Sequence, residues 1–373
     1  MKNELRGVWV STVNNIDFPS KPGISVTQMK SEIDSIIAKA IDVGLNAIIV
    51  QVRPTTDAMY KSSIFPWSHY LTGKQGEAPE GGFDPLAYWI EKCRAANLEI
   101  HAWVNPYRVA HMSQKMKSLE ELSPDNPARK NPDWVVKYEG KDYNGAWYFD
   151  PGIPEVRQLI IDGAAELVNN YSLDGFHIDD YFYPGTDFND DITYTKYGNG
   201  LTKDDWRREC VNELIRAFHE VSKKANVRFG VSPSGIWRNK SSDPRGSNTN
   251  GGEHYSNLYA DTYKWIKEGW MDYIVPQIYW HIGFDIADYK VLAPWWADVC
   301  KGTNIDLYIG MAAYRAADDS RATGTRPMFG EGELTRQLQL NTTLHGQKGH
   351  IYFTYKSLLA SVGDEIREWN TKH

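Results

Sequence analysis

Apolar, β-branched runs alternate with longer stretches in which apolar positions recur every three or four residues, and the alternation repeats eight times along the chain. The runs predicted as strands are 6–11 (RGVWVS), 47–54 (AIIVQVRP), 99–107 (EIHAWVNPY), 175–182 (GFHIDDYF), 228–235 (RFGVSPSG), 273–280 (YIVPQIYW), 306–314 (DLYIGMAAY) and 350–357 (HIYFTYKS). Between them, segments such as 26–44, 154–171 and 203–225 carry the helical period, and several close on Gly or Asn as helix stops do. Strand and helix in strict alternation predict a parallel sheet covered by helices. Eight repeats predict an α/β fold of the closed (β/α)8 TIM-barrel type.

The connections are unequal. Helix-to-strand links, 43–46, 96–99 and 346–349, are a few residues long, as such units require. The strand-to-helix links 55–84, 108–152, 183–201, 236–256 and 315–330 are long and rich in Gly, Pro, Asn, Trp and Tyr. In a barrel these links crown the C-terminal end of the strands, where the chemistry of such enzymes is carried out. With no internal repeat, low-complexity tract or Pro/Gly/Ser linker, residues 1–373 are expected to form a single barrel catalytic domain.

Composition narrows the function. The chain is 41% hydrophobic and 24% charged, with no apolar run long enough to cross a bilayer. It has 41 Lys and Arg against 48 Asp and Glu without a basic stripe, so nucleic acid is not an expected partner. Cys93, Cys210 and Cys300 lie far apart in helical stretches and read as buried thiols. The opening MKNELRGVWVST enters a strand almost at once, which fits a cytoplasmic chain or one trimmed of an export signal. The 14 Trp and 22 Tyr offer flat apolar faces with polar edges, the surfaces on which sugar rings stack.

Successive strand residues face opposite ways, so parity nominates the polar side chains at the barrel mouth. They are Ser11, Arg53, Asn105, His177, Asp179, Ser232, Ser234, Gln277, Tyr279, Tyr314 and Tyr355. Trp103, Tyr107, Tyr181, Trp237 and Trp280 join them as aromatic candidates for substrate binding. A ring of buried polar groups is costly unless satisfied, and a glycan's hydroxyls are suitable partners.

Asp179 and Asp180 stand side by side at the end of the fourth strand, the one strand that offers carboxylates at the barrel mouth. Cleaving a glycosidic bond needs one group to protonate the leaving oxygen and another to offset charge at the anomeric carbon, and neighbouring carboxylates raise one pKa into the useful range. Parity points Asp179 inward, whereas Asp180 reaches the mouth only if the strand ends there. Glu253, in NTNGGEHYSN on the fifth link, is a further candidate acid.

Metal chemistry is not expected. The first strand lacks an HxH pair, acids do not recur on successive strands, and the ten His show no ligand spacing. No Gly-rich phosphate fingerprint follows a strand, and SPSG lacks the spacing of a nucleophile elbow, so no cofactor is expected either.

The chain resembles the bacterial glycosyl hydrolase-like ten family. The likeness is carried by LRGVWVST, VQVRPTTDAMY, HAWVNPYR, NPDWVV with YFDPGIPEVR, GFHIDDYFYP, VSPSGIWRN and VPQIYW, in order and over nearly the whole chain. The resemblance implies a (β/α)8 hydrolase of N-acetylated glycans in the cell envelope, including peptidoglycan glycan stripped of its stem peptides. More loosely, GFHID is similar to the fourth-strand GFRxD of α-amylase-type barrels, which would make Asp179 a nucleophile with its acid at Asp180 or Glu253. Hexosaminidases with adjacent acids imply instead a substrate-assisted route, in which one Asp orients the acetamide and the other protonates the leaving oxygen. The alternatives are a glycan-binding barrel without turnover and a glycosidase of another polysaccharide.

Overall fold

Eight parallel strands close into a ring: β1 (Leu5–Val10), β2 (Ala47–Arg53), β3 (Glu99–Val104), β4 (Gly175–Ile178), β5 (Arg228–Val231), β6 (Tyr273–Ile274 and Gln277–Ile278), β7 (Asp306–Met311) and β8 (Gln347–Phe353). This is a computed structural model that describes residues 4–140, 144–317 and 329–373. Each strand pairs with its neighbour in sequence, and β8 returns to β1 with Leu5 opposite Gly349 and Trp9 opposite Phe353. The sixth strand is in two pieces because Pro276 lacks an N–H for the ladder.

Helices α1 (Val26–Asp42), α2 (Pro85–Ala95), α3 (Pro154–Asn170), α4 (Lys203–Lys224), α5 (Thr262–Glu268), α6 (Tyr289–Cys300), α7 (Glu333–Asn341) and α8 (Ser361–Lys372) lie outside the ring. α1 shows why they form. Ser25 and Gln28 make a capping box, and Met29, Ile33, Ile36, Ile37 and Ala40 are its buried residues, at helical spacing. Burying a side chain such as Ile33 contributes about 1.5–3 kcal/mol. All three cysteines are buried, as expected, and burial pushes each thiol up to about 12.

The barrel interior is filled, not hollow: Leu5, Trp9, Ala47, Ile49, Trp103, Tyr273, Val275, Tyr308 and Ile351 form one cluster. Two glycines make room for its large members, since a Cβ at Gly175 would collide with His101 and one at Gly230 with Tyr273. Most strands stop earlier at the mouth than the hydrophobic runs predict, β3 at Val104, β4 at Ile178 and β8 at Phe353. The third link also folds, beyond the eight runs of the hydrophobic pattern, into an antiparallel sheet of Arg108–Ala110, Trp147–Phe149 and Val135–Lys137.

Candidate active site

The end of β4 sets the geometry. Because the strand stops at Ile178, the residues after it are released from strict alternation, and Asp179 and Asp180 have different surroundings. Asp179 is buried. Its Oδ2 accepts the Trp103 indole N–H at 2.9 Å and the Asn105 amide at 2.7 Å, and its Oδ1 accepts the Tyr181 backbone N–H at 3.4 Å. Both side-chain donors come from the neighbouring third strand and the residue just beyond it, so barrel register aims them at one oxygen.

Asp180 is partly buried and lies toward the sixth strand, beside Gln277, whose own amide donates to the Ser232 carbonyl at 2.8 Å. Burial raises the Asp179 carboxyl to about 6, opposed by Arg108 and the Trp103 and Asn105 donors. Burial, reinforced by the Asp179 charge, raises Asp180 to about 7. The two titrate as a coupled pair in which the second proton is held near neutral pH.

Aromatic rings surround the pair. The Tyr181 ring lies 4.3 Å from the Arg108 guanidinium carbon. On the opposite side Tyr279, Tyr314 and Phe353 pack together, with centroids 5.9 Å apart for Tyr279 with either partner and 6.0 Å for Tyr314 with Phe353. Tyr279 is close enough to sense the charge of both acids. The arrangement offers one proton donor, one anchored carboxylate and apolar rings, which is what cleavage of a sugar chain needs.

A model of the glycosyl hydrolase-like 10 family matches residues 4–323. The chain belongs to that family. It is 46% identical over 364 residues to the glycosyl hydrolase YngK of Bacillus subtilis, covering 95% of this chain and 69% of that protein. It is 39% identical over 369 residues to the glycosyl hydrolase DigH of Escherichia coli K12, covering 94% of this chain and 82% of that one. Among solved structures, the glycoside hydrolase domain of PgaB (BpsB) from Bordetella bronchiseptica superposes with a TM-score of 0.63 at 12% identity, over 97% of this chain and 98% of that domain. That likeness concerns the fold.

Within this family member, Trp103, Asn105, Asp179, Tyr181, Gln277, Tyr279 and Tyr314 gather at the mouth, and Asp180 joins them because the fourth strand ends at Ile178. Trp280 packs over Gly235 at the end of the sixth strand, where a Cβ would strike its ring. Other candidates are placed elsewhere. Arg53 is turned out of the barrel by a register shift between Gln51 and Arg53. It lies against Gly163 of α3 with its guanidinium 4.4 Å from the Phe65 ring, and Gln51 takes the inward position. Tyr107, beyond the end of β3, is fully buried and faces Arg157, Cys210 and Asp150. Trp237 is buried between Tyr263 and Trp295 and donates to Asp261 at 3.1 Å. Tyr355 follows the end of β8 and lines a groove with Asp17, Glu32 and Ile36 on the outside.

His177 points inward as parity requires, but it is fully buried below the acids. Its Nε2 accepts the Trp9 indole N–H at 3.2 Å and faces the Ser232 hydroxyl at 3.0 Å. Trp9 can only donate, so the His177 proton is on Nδ1 and is given to Tyr273 Oη at 3.2 Å. Tyr273 then donates to His101 Nδ1 at 2.8 Å, and His101 Nε2 donates to Glu99 at 3.1 Å. This one-way chain through the barrel is structural.

Glu253 lines a cleft of about 520 Å³ beside Ser234, Gly185 and Asp187. Its Oε1 accepts the Asn239 backbone and side-chain N–H groups at 2.8 and 3.0 Å, and its Oε2 accepts the Ser256 hydroxyl at 3.0 Å. Burial opposes ionisation, yet hydrogen bonds from Ser242, Asn239 and Ser256 outweigh it and hold the carboxyl below the usual range. These bonds tie Glu253 to the fifth link. Among the described residues no group of three or more His, Cys, Asp or Glu is placed to hold a metal ion.

Two residues were missed. Phe353 ends β8 one position before the turn and fills the place assigned to Tyr355; period-two counting from Ile351 would have found it. Arg108 begins the small antiparallel sheet. Its signal was its position in HAWVNPYR, directly after the strand that supplies Trp103 and Asn105.

Proposed function

We propose that the protein is a glycoside hydrolase of an N-acetylated bacterial glycan, the peptidoglycan backbone freed of its stem peptides. The observation that carries the reading is the adjacent pair itself, one carboxyl anchored by Trp103 and Asn105 and the other held near neutral pH beside Gln277. The family and the relatives named as glycosyl hydrolases support it.

Adjacent acids on one strand end favour a substrate-assisted route over attack by a carboxylate from across the sugar. Asp180 gives its proton to the leaving oxygen as the glycosidic bond breaks, while the ionised Asp179 accepts the acetamide N–H. The acetamide carbonyl oxygen bonds to the anomeric carbon. Water, deprotonated by the Asp180 carboxylate, then opens that ring, so the product keeps its configuration. Glu253, fixed by three hydrogen bonds, is left out of this sequence.

The test is mass spectrometry of purified peptide-free glycan incubated with the protein, with early-product anomeric NMR. New reducing ends with retained configuration are expected. Bound but uncleaved glycan would assign the protein to non-catalytic recognition, and inverted product would exclude the assisted route.

A further inference from the structure

Arg108 is 4% exposed, yet no carboxylate oxygen among the described residues comes within ion-pair distance of it. Its Nε is buried without a hydrogen-bond partner. The neutral Tyr148 hydroxyl, on the paired strand, faces the guanidinium and has no other partner. Most buried guanidiniums are paired, because an uncompensated buried charge is strongly destabilising. In this protein Arg207 shows the usual solution, gripping Asp190 with two nitrogens and bonding Tyr259 and two carbonyls. Arg108 has the Tyr148 hydroxyl beside it but, among the described residues, no paired carboxylate.

Its position says what the partner is. The guanidinium lies on the face of Tyr181 and near enough to both acids for its charge to act on them. Nevertheless it does not pair with Asp179, whose Oδ2 is already taken by Trp103 and Asn105. A planar fork of donors held flat on an aromatic ring is pre-organised for a bidentate carboxylate.

We infer that Arg108 is the specificity residue of the site and binds a carboxylate carried by the glycan next to the bond that is cut. This rests on the proposed hydrolase reading and deepens it. In an N-acetylated peptidoglycan backbone the carboxylate at hand is that of the muramyl lactyl group. It is free only when no stem peptide is attached, since the peptide turns it into a neutral amide and adds bulk. Arg108 thereby makes removal of the peptide a condition of cleavage, and the reaction that precedes this one is hydrolysis of the lactyl amide.

The experiment compares two tetrasaccharides of the peptide-free backbone, one with free lactyl carboxylates and one with them converted to methylamides, on wild type, Arg108→Gln and Arg108→Lys. The quantity read is the ratio of kcat/KM for acid over amide, which damage common to both substrates leaves unchanged. A ratio of about ten- to a hundred-fold is expected for wild type, the worth of a charge-assisted hydrogen bond. It should collapse toward one in Arg108→Gln and recover in part in Arg108→Lys. A wild-type ratio near one, or an unchanged ratio in Arg108→Gln, overturns the assignment.

If wild type cleaves neither compound, calorimetric binding of the same pair and of a hyaluronan hexasaccharide, which is N-acetylated and carboxylated but lacks muramic acid, separates the two claims. Arg108-dependent binding of hyaluronan alone would keep the carboxylate site and retire the peptidoglycan reading. Binding of none in a charge-dependent way would overturn the role of Arg108.

Discussion

The indole N–H of Trp103 donates to Oδ2 of Asp179 over 2.9 Å, so a side chain that would otherwise be barrel filling fixes the orientation of the carboxylate above it. Replacing Trp103 by Phe keeps the ring and removes the donor. A hydrogen bond to a charged group is worth about 1.5–3 kcal/mol, so turnover near pH 6.5 should fall about tenfold or more. The acidic limb of the pH profile should also move up, because the ionised Asp179 loses a stabilising partner. A profile that scales down without shifting would show that Trp103 serves packing alone.

The pH dependence follows from the division of labour. In the proposed route Asp179 is ionised and Asp180 protonated, and their carboxyls are raised to about 6 and about 7. Below about 6 the first is neutralised, and above about 7 the second is emptied. A bell-shaped kcat/KM profile with its maximum between those values is expected. A rate that climbs steadily to pH 9 would contradict it.

The chain of bonds below the site carries a stability prediction. Tyr273→Phe leaves His177 Nδ1–H and His101 Nδ1 without their shared partner in the barrel interior. Each stranded group costs about 1–3 kcal/mol, so urea unfolding should report a loss of about 2–6 kcal/mol. An unchanged midpoint would contradict the chain as drawn.

Glu253 separates the two catalytic schemes. With its carboxylate holding Asn239 and Ser256, Glu253→Gln should lower thermal stability more than it lowers kcat, leaving turnover within about tenfold of wild type, less than loss of a general acid costs. A loss of a thousandfold in a folded Glu253→Gln protein would restore Glu253 as the acid.

The barrel was legible because eight β-branched runs and their short return links carry its whole topology. The candidate site was legible where a residue directly follows the end of a regular strand, as with Asn105, Asp179 and Tyr279. Reading failed where local geometry departs from the pattern. One extra residue in β2 turned Arg53 outward and left Gln51, two positions earlier, as the last inward residue, and extrapolating alternation more than one residue beyond the true strand ends misplaced Tyr107 and Tyr355. His177 has the right parity but is too deep, since alternation gives a direction and not a depth. Trp237 and Glu253 are on links, where periodicity says nothing and tertiary hydrogen bonds decide.

Asp179 and Asp180 are proposed to cleave the glycan together. The most direct measurement is the initial rate of reducing-end release from peptide-free peptidoglycan glycan by wild type, Asp179→Asn and Asp180→Asn, each first shown by circular dichroism to be folded. A loss of about a hundredfold or more in both variants is the predicted result. Undiminished release by either folded variant would contradict it.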